Sequence, residues 1–182
     1  MFKKVVLTAV AAFAAFVVGF VIVVAMQPAA LEVERSATIE APPEVVFEQV
    51  DDFRNWESWS PWLQEDSDAE GRFDGAERGE GAIFEWRGTD EYGAGRMTIV
   101  ESRPTEYIEI KLEFFEPYES VSTTFFGFEE SGGGGTDVTW SMYSEHNFMS
   151  KAISLFMDVE EMIGEDYQEG LSRLDEVVQA SQ

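Results

Sequence analysis

The stretch NFMSKAISLFMDVEEMIGEDYQEGLSRLDEVV, residues 147–178, decides the fold. At 100° per residue, Met149, Ile153, Phe156, Ile163, Tyr167, Leu171, Leu174 and Val178 fall within roughly 40° of one line, and Lys151, Asp158, Glu161, Glu165, Glu169, Ser172 and Glu176 take the opposite side. This spacing predicts one long amphipathic helix. Burying its apolar face is worth on the order of 10–20 kcal/mol gross, and an isolated helix has nowhere to place it. A concave partner surface is required. Glu160 interrupts the pattern, because it lies about 20° from the centre of the apolar face. Two readings of it are open. Either the helix bends near Gly164 and Glu160 reaches solvent or an arginine such as Arg87 or Arg96, or Glu160 is a buried polar handle that orients a ligand hydroxyl or carbonyl.

Working outward, the chain before this helix supplies the partner. Residues 31–39 alternate apolar and polar as a half-buried strand does. Ala41-Pro42-Pro43-Glu44 opens a short helix whose apolar face is Val45, Val46, Phe47 and Val50, since proline is tolerated in a first turn. From Gly81 the sequence becomes a strand meander: Phe84 and Trp86, Met97 and Ile99, then Ile108, Ile110, Leu112 and Phe114, and finally Val138, Trp140 and Met142 sit at alternate positions. Turns are marked by Gly88, Gly93 and Gly95, by Arg103-Pro104, by Glu116-Pro117 and by the glycine run 132–135, which a tight hairpin explains. Residues 121–128 are apolar or small on both faces, so their inward set is ambiguous.

Between the opening helix and the meander lie two distinctive segments. Trp56, Trp59 and Trp62, spaced by three, share one side of a short helix or turn facing the sheet, either as core plugs or as a ligand-contacting wall. Residues 64–80 are acidic, and Asp66, Asp68, Glu70, Gly71, Asp74 and Glu77 fall on positions of a calcium-loop template. Gly75, Gly79 and Gly81 stand where the template needs an exiting helix. The segment therefore reads first as a solvated loop leading into a short strand with no metal site, a calcium-binding loop being the second reading.

The N-terminal part has another character. Lys3 and Lys4 precede residues 5–26, which carry no charge and span ~33 Å as a helix, the thickness of a hydrocarbon core. The run is longer than the apolar region of a signal peptide, and Gln27-Pro28-Ala29-Ala30 is a poor cleavage site, so an uncleaved anchor is expected. The lysines put residues 1–4 in the cytoplasm and the remainder outside, in the periplasm where there is one. The domain expected at residues 31–180 must sit close to the bilayer, because almost no linker separates it from the anchor.

Net charge is −24, and beyond residue 30 there remain 10 basic residues against 36 acidic ones. Such a surface repels phosphate backbones, which excludes nucleic-acid binding, and otherwise serves solubility. There is no cysteine, hence no disulfide, thiolate metal site or cysteine nucleophile. A lone histidine, His146, leaves nothing for a multi-histidine metal centre, and no cofactor is expected.

Three places together resemble one family: the opening strand with Ala41-Pro42-Pro43-Glu44-Val45-Val46-Phe47, the cluster Trp56-Glu57-Ser58-Trp59-Ser60-Pro61-Trp62, and the closing Met162-Ile163-Gly164-Glu165-Asp166-Tyr167-Gln168-Glu169-Gly170-Leu171. They are similar to the START-like helix-grip superfamily (SRPBCC), in its polyketide cyclase/dehydrase and lipid-transport branch. Residues 81–88 and 136–140 also match its strands. The resemblance implies an α+β helix-grip fold, a curved antiparallel sheet wrapped around the long C-terminal helix, here preceded by one transmembrane helix. It further implies a hydrophobic cavity for lipids, polyketides or similar ligands. The family supplies no universal catalytic residue, and none is carried over.

Three functions of different classes follow. The first is an anchored domain binding a hydrophobic small molecule or lipid between sheet and helix, lined by Trp56, Trp59, Phe84, Trp86, Ile99, Ile110, Leu112, Trp140, Met142, Ile153, Phe156, Glu160, Ile163 and Tyr167. The second is a cyclase or hydrolase that uses a pocket carboxylate or His146, although His146 sits in Ser144-Glu145-His146-Asn147, where a capping turn is expected. No nucleophile elbow, phosphate loop or dinucleotide fingerprint is present. The third is a filled core that serves a partner protein at the membrane.

Overall fold

The structure, a computed structural model, describes residues 2–65, 70–88 and 93–181, with the side chains of Gln64 and Glu65 excepted. Helix α1 (Phe2–Ala25) is long and apolar enough to cross a membrane. It stops before Pro28, which cannot continue a helical ladder. Strand β1 (Ala30–Ile39) follows almost at once, then α2 (Pro43–Asp51), a 3-10 helix (Phe53–Ser58) and α3 (Pro61–Glu65). Strands β2 (Glu70–Gly75), β3 (Ala82–Arg87), β4 (Ala94–Arg103), β5 (Tyr107–Glu116), β6 (Ser120–Glu130) and β7 (Thr136–Glu145) form an antiparallel meander. β1 closes it by pairing with β7, in the order β1-β7-β6-β5-β4-β3-β2.

Period-two alternation makes this sheet one-sided. Ile39, Ile108, Ile110, Phe126, Phe128, Val138 and Trp140 all point to the concave face and are buried. Register resolves the strand that was ambiguous in sequence: Phe126 pairs with Trp140 and Thr124 with Met142, so Ser122, Thr124, Phe126 and Phe128 face inward. The acidic segment does lead into a strand, β2, where Arg72 bonds Asp74 at 2.9 Å. Asp66 and Asp68 of the calcium template lie outside the described residues, and among the described residues no cluster of three or more potential ligands is poised for a metal.

The C-terminal helix differs from its expected extent. Two helices replace the single one: α4 (Phe148–Ile153), capped by the Asn147 side chain, which accepts from the Ser150 amide, and α5 (Val159–Ala180), capped by Asp158, which accepts from the Glu161 amide. Length explains the break. A ten-residue strand and a 22-residue helix both span ~33 Å, whereas residues 147–178 as one helix would extend ~48 Å and overrun the sheet. Tyr167, Leu171, Leu174 and Val178 keep their predicted buried face, while Met149, Ile153 and Phe156 belong to the part that turned away and are exposed.

The sheet thus has two distinguishable ends. At the end next to α1, Ala30 pairs with Glu145 and Phe114 with Ser120; at the far end Ile39 pairs with Thr136 and Tyr107 with Gly127. α5 runs against β1, with α2, the 3-10 helix and α3 packed alongside it.

Candidate functional site

At the centre of the concave face stands an aromatic stack. The tryptophan spacing of three suits the three-residue turn of the 3-10 helix, which carries Trp56 and delivers Trp59 at its end, both onto Phe126 and Trp140. Trp140 lies parallel to Tyr167 of α5 with ring centroids 3.9 Å apart. That approach needs Gly170 on the next turn, since a Cβ there would stand 2.8 Å from the Trp140 ring. Each indole N–H has an acceptor: Trp56 donates to the Val50 carbonyl at 3.0 Å, Trp59 to the Gln49 carbonyl at 3.2 Å, and Trp140 to the Thr124 hydroxyl at 2.9 Å. Thr124 in turn donates to the Ser141 carbonyl at 2.8 Å and lies 3.3 Å from the Tyr167 hydroxyl. Burial pushes the Tyr167 phenol up to about 12, against the opposing pull of its hydrogen bonds to Thr124 and Trp140, so it stays neutral.

This stack fills the grip from its middle to the far end. Side chains with almost no accessible surface border no water-sized void, and that describes Trp56, Trp59, Trp140, Ile99 and Ile110, with Phe84 and Tyr167 close behind. The end next to α1 is looser. Trp86, Met97, Leu112, Phe114 and Ile163 point to the same concave face yet are only half-buried. Trp86 reaches across β4 because its partner is Gly95: a Cβ there would collide with the indole, which instead meets Phe114 edge-on at 5.6 Å. Ser122 and Ser144 bond each other at 3.0 Å on this side, and Trp62 donates to Asp166 at 3.2 Å beside Tyr167.

The residues expected to line a cavity therefore divide. Trp56, Trp59, Phe84, Ile99, Ile110, Trp140 and Tyr167 are brought together as packed core; Trp86, Leu112 and Ile163 are brought together at the open end, with buried Met142 between the two groups. Ile153, Phe156 and Glu160 are not part of either. Phe156 is 79% exposed and Ile153 38%, because α4 and the turn after it leave the grip. Glu160, in the first turn of α5, is 51% exposed and paired with Arg35 at 3.3 Å. Glu160 does reach solvent and an arginine, but the cause differs from a bend near Gly164: α5 runs unbroken through Gly164 and starts only at Val159, and the arginine is Arg35, since Arg87 and Arg96 pair with Glu116 and Glu85.

Arg35 is the residue that the sequence reading missed. It occupies an inward position of β1, between Val33 and Ala37, and also bonds Glu161 at 3.3 Å. Gly164 makes room for it, since any Cβ there would collide with the guanidinium. The signal was available, because strand alternation puts Arg35 in line with Leu31, Val33 and Ile39. His146 lies outside the grip, and its Nδ1 donates to the Pro28 carbonyl at 3.2 Å.

A strand, short helices, a curved antiparallel sheet and a gripped C-terminal helix define the helix-grip class. A family profile described as polyketide cyclase / dehydrase and lipid transport matches residues 30–179, and the chain belongs to that family. Solved structures share the fold: a Staphylococcus aureus protein of unknown function (TM-score 0.62, 16% identity, 86% of this chain and 98% of that one) and a Mesorhizobium loti protein (0.61, 13%, 83% and 98%). DynU16, from the dynemicin biosynthetic locus, aligns with a TM-score of 0.57 and 15% identity over 83% of this chain and 48% of its own. Among curated proteins, none matches the sequence.

Proposed function

We propose that this chain is a membrane-anchored, extracytoplasmic domain that holds an apolar small molecule or lipid at the anchor end of the grip. The observation that carries the reading is the half-buried set Trp86, Met97, Leu112, Phe114 and Ile163, which lines a concave face whose other end is packed solid. An apolar ligand would take water off these side chains at roughly 25 cal/mol per Å², without displacing any part of the core. Membership of a family described as including lipid transport supports the ligand class. The length of α1 supports the anchor, and Lys3 and Lys4 in its first turn support a cytoplasmic N-terminus, with the grip on the periplasmic side. A domain boundary near residue 31 is supported by β1, which starts at Ala30, and by the family match from residue 30.

Organic extraction of the purified fragment 31–182, followed by mass spectrometry, tests this reading. A co-purifying apolar molecule, depleted in Leu112→Ser, is expected. If nothing extracts and added fatty acid leaves tryptophan emission unchanged, the binding reading fails.

A further inference from the structure

Exposed large apolar side chains gather beside the anchor. Phe148, Met149, Ile153, Phe156 and Met157, from α4 and the turn after it, are all exposed. α4 touches α1, and Val24 is the fully buried side chain of α1. The start of α4 is pinned to the end of the anchor, where the His146 amide donates to the Ala29 carbonyl at 2.9 Å. Beside this contact an open groove of about 570 Å³ runs between the α1–β1 junction (Pro28, Leu31, Glu32) and the turn after α4 (Leu155, Phe156, Asp158, Glu160). At 1.5 Å per residue, Val24 lies ~3 Å inside the Met26 end of the apolar run. Side chains packed at that height stand where acyl chains meet headgroups.

Charge singles out the same segment. Residues 146–157 contain no Asp or Glu, the longest such run after Glu32 in a chain with 36 acidic residues, and Lys151 is their one formal charge. Elsewhere the acidic surface repels anionic headgroups; within residues 146–157 no carboxylate does so, and the flanking Glu145 and Asp158, with Glu32 and Glu160 at the groove, mark the border of the patch. The β5–β6 hairpin, at the same end of the sheet, adds exposed Tyr118 and Val121, while Glu116 and Glu119 beside them suit headgroup depth.

We propose that residues 148–157 lie in the outer interface of the bilayer that α1 crosses, as an amphipathic foot that holds the open end of the grip against lipid. This rests on the anchored reading above and adds a second, peripheral contact to it. The foot fixes the distance from bilayer to ligand site, so that an apolar molecule can pass between them with little exposure to water.

The absence of cysteine allows single thiols to report on single positions. The full chain would be reconstituted in phosphatidylcholine vesicles doped with doxyl-labelled phosphatidylcholine, carrying an environment-sensitive fluorophore on Met149→Cys, Phe156→Cys, Phe13→Cys in the anchor, or Glu129→Cys at the far end. At positions 149 and 156 the emission should shift to the blue, be lost to the lipid quencher and be spared by aqueous iodide, with the reverse at 129. If iodide quenches 156 as strongly as 129 while lipid quenches 13, the anchor stands and the foot is overturned. If both quenchers spare 156, a protein surface such as a second copy covers it, and the proposal is equally overturned. If lipid fails to quench 13, the anchored reading falls as well.

Discussion

The two ends of the grip are built from the same alternating strands, yet they pack differently. At the far end, Ile39, Phe128, Val138, Leu174 and Val178 close on one another, with Phe47 of α2 edge-on to Phe128 at 5.3 Å. At the end next to α1, Leu31, Leu112, Phe114 and Ile163 present equivalent apolar side chains that remain half-covered. What differs is the cover. α2 and the C-terminal turns of α5 lie over the far end, whereas the segment that would have covered the near end departs at Ser154 to Asp158 and lies against α1. A strand pattern sets which face is apolar, and the helices decide how much of that face sees water.

The largest expected effect tests that asymmetry directly. Leu174→Ala at the far end should cost ~2–5 kcal/mol of stability, because a packed site keeps its cavity, whereas Leu112→Ala should cost about 1 kcal/mol or less. Urea unfolding of the fragment 31–182 would measure both, and equal losses would erase the distinction. That fragment should unfold cooperatively, because the main contact of α1 with the domain is through the peripheral α4.

Tyr167 gives the next effect. Its phenol titrates near 12 in the folded state against an ordinary value near 10, so its contribution is fully present below pH 10 and is lost as pH rises through 12. Stability should fall by on the order of 2 kcal/mol across that interval, and Tyr167→Phe should remove most of the slope. Tyr107 is also raised to about 12, by burial and then by its bond to Glu109. Nearer the surface, it is screened by water and should contribute less.

The glycines of α5 sharpen the comparison at a smaller scale. Gly170→Ala would drive a methyl into the Trp140 ring and to 3.3 Å from Pro61, rigid neighbours both, and should cost ~1–3 kcal/mol. Gly164→Ala meets only the flexible tip of Arg35, and thermal unfolding should show the lesser loss. Smallest of all is Glu160→Gln. A half-exposed ion pair contributes ~0–1 kcal/mol, and ligand affinity should be the same from about pH 4 to 8 in the variant and the wild type. A pH dependence abolished by Glu160→Gln would restore the carboxylate as a ligand handle.

The apolar run of residues 5–26, the sidedness of each strand and the buried stripe Tyr167, Leu171, Leu174 and Val178 were all legible in the sequence, because each is a local periodicity imposed by backbone geometry. The family motifs added the gripped arrangement. Local periodicity also carried the stripe too far, into Met149, Ile153 and Phe156, since nothing in a helical phase reports the length of the sheet that must receive it. Only the tertiary structure decided where the helix breaks, that Arg35 rather than Arg87 or Arg96 meets Glu160, and which indoles close the core and which border its open end. Those outcomes depend on the register of strands far apart in sequence and on which helix covers which end, quantities that no single segment contains.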